Sequence, residues 1–235
     1  MKAPGCCATL AVAIWLLGAG SLAAQESKTE LFGDQVLMNL AHPAIEVPGF
    51  PKKMHTHQFN RVMIYIHPGG EDLYFQDGHM QALKWQAGTA LWSPVSGLHY
   101  SVIPKDTPPF TGPMIVELNI LKDADPKGGP KKAVSSALDG VVVDPNDFKV
   151  DMDNSQVRVV RLKIGPHQNV PLHEHLLNHV IVPITDENIR ETSADGKADA
   201  IRRTAGQYYW RGPGKSTISN LDDKAYEALI VEIKN

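Results

Sequence analysis

Short runs of apolar residues, some continuous and some alternating with polar ones, recur along the chain, and extended helical spacing is weak throughout. Val62 to Ile66 (VMIYI) and Val180 to Ile184 (VIVPI) are rich in the β-branched and aromatic side chains that pleated strands favour. Val157 to Ile164 (VRVVRLKI) alternates apolar and basic residues, the pattern of a half-buried strand. Asp77-Gly78 and Asp195-Gly196 are hairpin-turn dipeptides, because glycine supplies the positive φ that such turns need. Gly88 and Gly206 each precede an aromatic-bearing strand, and Ala133 to Leu138 reads as one short helix. Many short strands with frequent turn signals predict an all-β sandwich or barrel.

These pieces occur twice. His55-Thr-His57-Gln-Phe-Asn60-Arg-Val62 aligns with His173-Glu-His175-Leu-Leu-Asn178-His-Val180 at an offset of 118 residues. The same offset carries Ile66 onto Ile184, Asp77-Gly78 onto Asp195-Gly196, Gly88 onto Gly206 and Trp92 onto Trp210. Ile115-Val116-Glu117 then matches Ile230-Val231-Glu232 at a shift of 115, which implies a slightly shorter final loop in the second copy. A colinear series of this kind argues for duplication. Lys122 to Lys132 (KDADPKGGPKK) is rich in Pro, Gly and charge, as linkers are. The reading is a first domain over 28–122, a linker over 123–142 and a second domain over 143–235.

Residues 1–24 read as a signal peptide rather than as part of the fold. Lys2 precedes the apolar stretch Ala8 to Leu17, and small residues follow, with Ser21 and Ala23 placed for cleavage. The apolar stretch is shorter than the roughly 20 residues a span needs. The expected destination is export, to a periplasm or the extracellular space. Both cysteines, Cys6 and Cys7, leave with this segment, so any metal must be held by His or carboxylate. Net charge is −3 and no basic run stands out, which gives nucleic acid no footprint. No later segment is long and apolar enough for a membrane span.

His55 and His57 stand two apart on a predicted strand, so their side chains share a face, and His173 with His175 repeats the arrangement. Paired imidazoles that project into a barrel suit a divalent Fe, Mn, Zn, Ni or Cu ion. At this point the sequence resembles the cupin superfamily, specifically a two-domain (bicupin) protein. The family's first motif is matched by His55-Thr56-His57 and by Gly165 with His173-Glu174-His175. Its second is matched by Gly88, Pro94 and His99, and by Gly206, Pro213-Gly214 and Asn220. The resemblance implies two tandem cupin-type jelly-roll β-barrels. Where the family places a glutamate after the histidine pair, this chain has Arg61 and His179, and Ser216 takes the second-motif histidine position of the second copy.

The candidate metal ligands are therefore His55, His57 and His99 in the first copy and His173, His175 and His179 in the second. A charged Arg61 repels a nearby cation, so the second set is slightly preferred for metal. Arg61 itself is a candidate anion clamp for a ligand. His42, His67, His79 and His167 are expected to face solvent, and Trp85, Trp92 and Trp210 to serve packing. Glu174 lies on the opposite strand face from its neighbouring histidines and is a poor general base for them. No nucleophile elbow, phosphate-binding loop or zincin helix is present. The expected partner is a small molecule, and homodimer pairing is left open. Three function classes remain: a metal-dependent enzyme such as an oxygenase or isomerase, a non-catalytic protein that binds or senses a sugar or organic acid without metal, and a structural or storage-type bicupin with neither metal nor ligand.

Overall fold

The computed structural model describes residues 29–32, 35–41, 53–102, 115–121 and 135–234. The signal-peptide reading, His42 and most of the linker lie outside these residues. The first copy contributes β1 (Thr29–Phe32), β2 (Val36–Ala41), β3 (Asn60–Tyr65), β4 (Gly69–Phe75), β5 (Met80–Trp85), β6 (Thr89–Ser93), β7 (His99–Val102) and β8 (Ile115–Ile120). One short helix, α1 (Gly140–Val143), precedes the second copy. That copy contributes β9 (Phe148–Asp153), β10 (Val157–Ile164), β11 (Asn169–His175), β12 (His179–Pro183), β13 (Glu187–Ser193), β14 (Ala198–Arg203), β15 (Tyr209–Arg211), β16 (Gly214–Asn220) and β17 (Tyr226–Ile233). No helix among the described residues is long and apolar enough to cross a membrane.

Each copy makes one five-stranded sheet, β1-β2-β8-β3-β6 and β9-β10-β17-β12-β15, in the same order. Each adds a smaller sheet, β5-β4-β7 and β14-β13-β16-β11. The fourth strand of the first copy's smaller sheet is reduced to one antiparallel bridge, His55 to His99. Gly78 and Gly196 sit at φ 88° and 86° in the two predicted hairpins.

The two five-stranded sheets pack face to face. Val62, Ile64, Val116 and Leu118 from one, and Val159, Val180, Leu229 and Val231 from the other, form one buried apolar cluster. Trp92 and Trp210 pack against it from equivalent places. Phe32 of β1 stacks on Trp210 with ring centroids 5.6 Å apart. Two exchanged hydrogen bonds express a local two-fold: Asn60 donates to Gln156 and Asn178 donates to Gln35, both at 2.8 Å. Gly88 shows how close the copies come. Its φ is 75°, and a Cβ there would lie 3.0 Å from the Arg161 guanidinium and 3.1 Å from Ile184.

Three expectations change. The strand Val157–Ile164 is not half-buried, because its second face is covered by the first copy, and Arg158 on the inner face is only 7% exposed. Residues 135–138 are turn and coil rather than helix; the helix starts later, where the Asp139 side chain accepts a hydrogen bond from the Val141 amide. The tails also align differently. Arg61 faces Asn119 across the ladder where His179 faces Glu232, so Asn119, and not Glu117, holds the place of Glu232. A slip of two residues preserves which face each side chain takes, so the apolar pattern alone does not separate the two alignments.

Leu118 is fully buried in the seam. Leu118→Ala is expected to cost about 2–5 kcal/mol in urea unfolding free energy. Unfolding should remain one transition, because the cavity opens between the copies. Two resolved transitions would show that each copy holds without the seam.

Candidate metal centres

The inner faces of β3 and β12 are set by their outer ones. With Val62 and Ile64 buried in the seam, Arg61, Met63 and Tyr65 must point into the first barrel. By the same alternation Val180 and Val182 turn His179 into the second barrel, where it is 3% exposed.

In the first barrel, His55 and His99 exchange both backbone hydrogen bonds, at 2.8 and 3.0 Å. This bridge brings the imidazoles of His55, His57 and His99 together, with ring centroids 4.7 to 5.2 Å apart. Their three available ligand atoms all lie within 4.8 Å of one another, and this triad can hold a metal ion. Among the described residues, no other group of three or more such side chains meets that span. Arg61 lies beside it, but its guanidinium is drawn away to Glu117 at 3.4 Å and the Ser93 hydroxyl at 2.9 Å. Two arms of the proposed anion clamp are thus engaged, while the buried Arg61 Nε has no partner.

In the second barrel, β11 presents His173 opposite Ser216 of β16, the same register that sets His55 opposite His99. Ser216 therefore stands where His99 stands, and the third imidazole comes from His179 at the place of Arg61. Ring centroids are 5.3 Å apart for His173 and His175 and 4.4 Å for His175 and His179. A cavity of about 300 Å³ opens on His175 and His179, with Arg211, Lys215 and Glu191 on its walls.

Hydrogen bonds decide which nitrogens are free. A carbonyl oxygen can only accept, so a ring nitrogen bonded to one must carry the proton. His99 Nδ1 donates to the Gly97 carbonyl at 2.8 Å, His173 Nδ1 to Pro171 at 3.1 Å and His179 Nδ1 to Leu177 at 2.9 Å. His175 Nδ1 instead meets the Glu232 carboxylate at 3.0 Å. By that rule the Nε2 lone pairs of His99, His173 and His179 are left over, and His173 Nε2 is buried without a partner.

Of the remaining expectations, His79 and His167 are exposed and bonded to nearby aspartates. Trp85 is buried, stacks on Tyr65 and donates to the His67 carbonyl. Glu174 turns away from the imidazoles toward Lys215. Sequence reasoning missed Glu117, Asp139, Arg158 and Glu232 as site residues. The two glutamates served there only as repeat markers, although their place on inward-facing strand positions was a usable signal.

Burial holds most of these imidazoles neutral. Burial and then the adjacent Arg61 push His57 down to about 4. Burial and then His175 push His173 down to about 4 and His179 to about 3. A histidine whose folded pKa is depressed takes its proton first in the unfolded chain. Its contribution is therefore complete above the ordinary value of about 6.5 and is lost as pH falls toward the folded value. The metal-free protein should lose urea stability between about pH 7 and about pH 5. His179→Asn, which can keep the bond to Leu177, should flatten that slope. A slope identical to that of the unaltered protein would contradict the assignment.

No family model and no curated protein matches this sequence. Solved structures do resemble the fold. AerE from Microcystis aeruginosa is 13% identical over 88% of this chain and 96% of its own, with a TM-score of 0.56. A cupin 2 conserved barrel domain protein from Leptotrichia buccalis is 10% identical over 88% of each chain, with a TM-score of 0.49. HEPD from Streptomyces albus, solved with 2-hydroxyethylphosphonate and Fe(II), is 8% identical over 84% of this chain and 67% of its own, with a TM-score of 0.50. With its repeated sheet order and its facing five-stranded sheets, the chain is a tandem of two jelly-roll-type β-barrels, a fold that it shares with AerE.

Proposed function

We propose that this protein is an exported bicupin that holds a divalent metal ion on histidines and binds or transforms a small polar molecule beside it. The observation that carries the reading is the first-barrel triad, His55, His57 and His99, with its ligand atoms within 4.8 Å of one another. Neutral imidazoles suit Fe, Mn, Zn, Ni or Cu. In the second barrel His173, His175 and His179 would hold the ion, each with Nδ1 bonded elsewhere and Nε2 free. The unpartnered, buried Nε2 of His173 fits a ligand bond that completes it. When bound, such an ion polarises an oxygen of a substrate or activates water or dioxygen. The chain's own contribution is to orient the imidazoles, keep them neutral and supply Arg61 beside the first set.

One observation favours a second reading. The buried Nε of Arg61 lacks an acceptor, and a small organic acid or sugar would supply one without any metal. In that case the first barrel is a binding pocket and not a metal centre.

Elemental analysis of the purified mature protein, grown in metal-replete medium, separates the two. Metal is expected in stoichiometric amount, and His55→Ala/His57→Ala and His173→Ala/His175→Ala should each remove one share of it. Metal content near zero would end the metal reading. A panel of small carboxylates and sugars should then raise the melting temperature in chelator, and Arg61→Ala should abolish the shift. Export predicts that the protein recovered from its native host lacks residues 1–24, which intact mass measures.

A further inference from the structure

The imidazoles differ in what anchors them. Three donate from Nδ1 to the carbonyl two residues back, at His99, His173 and His179. The second member of each histidine pair does not. Among the described residues no acceptor holds His57, whereas His175 Nδ1 is 3.0 Å from Glu232 Oε1.

Glu232 is in turn held. Its other oxygen, Oε2, accepts from Arg158 at 3.2 Å, and Arg158 grips Asp139 with both arms at 2.7 and 3.0 Å. Asp139 caps α1 through the Val141 amide at 3.0 Å. The segment before α1 is tied to the strand that carries His173 and His175, through the Glu174 amide to the Leu138 carbonyl at 2.8 Å. All three side chains of the chain are under a tenth exposed. Each carboxylate oxygen of Glu232 has one partner, so the group cannot rotate without giving up Arg158 or His175.

The first barrel has none of this. The ladders place Leu37 where Arg158 stands and Asn119 where Glu232 stands, and Asn119 donates to the Leu37 carbonyl at 3.0 Å. The copies therefore share the histidine pair but not its support. A buried guanidinium with two carboxylates gains little stability, because desolvation offsets the attraction. Its distinctive product is a fixed direction. We propose that Asp139 and Arg158, acting through Glu232, are positioning residues that lock His175 as the Nδ1–H tautomer and aim its Nε2 at the metal position of the second barrel.

This rests on the reading that the second set holds a metal ion, but the tautomer can be measured without one. The test uses the full mature chain carrying His55→Ala/His57→Ala, so that only the second set binds cobalt(II), the probe. Long-range proton–nitrogen NMR of the metal-free protein at about pH 8, well above the histidine range, reads the tautomer. It is expected to show His175 with its proton on Nδ1. Glu232→Leu should move that proton toward Nε2 and weaken cobalt(II) binding by about 10–100-fold, with Glu232→Gln restoring most of both. Asp139→Asn, which keeps the α1 cap, should shift both readouts in the same direction by less. A wild-type His175 protonated on Nε2 would overturn the proposal. So would a folded Glu232→Leu protein with an unchanged tautomer and cobalt(II) affinity within about twofold. If Glu232→Leu does not fold, unchanged readouts in Asp139→Asn overturn it instead. Failure of the wild-type second set to take up cobalt would sink the metal reading of the second barrel, and the tautomer shift would then decide the positioning alone.

Discussion

The apolar seam between the two five-stranded sheets fixes where everything else points. On β3 and β12 the side chains that fill it are Val62, Ile64, Val180 and Val182, and strand alternation then commits Arg61 and His179 to the barrel interiors. A slip of one residue would move the whole apolar set out of the seam and turn Arg61 and His179 toward it. Each fully buried Val or Leu contributes roughly 1.5–3 kcal/mol, so the register is held by many such terms at once. The exchanged Asn60–Gln156 and Asn178–Gln35 bonds add direction rather than bulk, since they close only when both copies sit in one relation. The geometry of the histidines is thus inherited from packing on the far side of the strands that border them.

On this shared frame the two copies solve the same problem differently. Both present a histidine pair from an extended segment, and both need a third imidazole. The first takes His99 from β7, while the second has Ser216 there and takes His179 from β12. Moving the third ligand onto β12 removes the arginine that stands at Arg61, and with it the nearest cation on that strand. The second barrel still contains a buried guanidinium, Arg158, but two carboxylates stand against it. In the first barrel Arg61 is met by one, Glu117. A cation close to a would-be metal position is more tolerable when its field is spent on carboxylates, and Glu117 lessens the repulsion expected of Arg61 in this way.

Much of this was legible in the sequence. The repeated His-x-His, the Asp-Gly turns and the replacement of a second-motif histidine by Ser216 could be read from spacing, because each depends on local backbone chemistry. The site residues that escaped do so for a physical reason. Arg158 sits in VRVVRLKI as one polar residue among alternating ones, and alternation looks the same whether the polar face meets water or a buried carboxylate. Its partners lie 19 and 74 residues away in sequence, at Asp139 and Glu232. The tail alignment escaped because shifts of two residues conserve face, and only the ladder pairing distinguishes Leu118 from Val116 as the counterpart of Val231. The triad escaped preference because the charge of Arg61 was visible and the compensation by Glu117, 56 residues later, was not.

The deepest contrast lies beneath the imidazoles. Ladder register sets Glu71 at the place of Ile189 and Glu117 at the place of Ile230, as Arg61 is at that of His179. Below its imidazoles the second barrel packs Phe148, Leu162, Ile164, Ile189 and Ile230, and its buried Glu187 is held by Arg203, Tyr209 and Tyr226. The first places two carboxylates and a guanidinium at these positions, with Arg61 and Glu71 buried and Glu117 partly so. Burial raises the pKa of Glu71 despite the Ser101 hydrogen bond and the Arg61 charge that favour its ionised form. Burying such groups costs free energy that an apolar filling would not. At the two glutamate positions of this register a polar molecule would meet a carboxylate in the first barrel and hydrocarbon in the second. Duplication has therefore kept one frame of ladder positions while placing buried charge at different points of it in the two barrels.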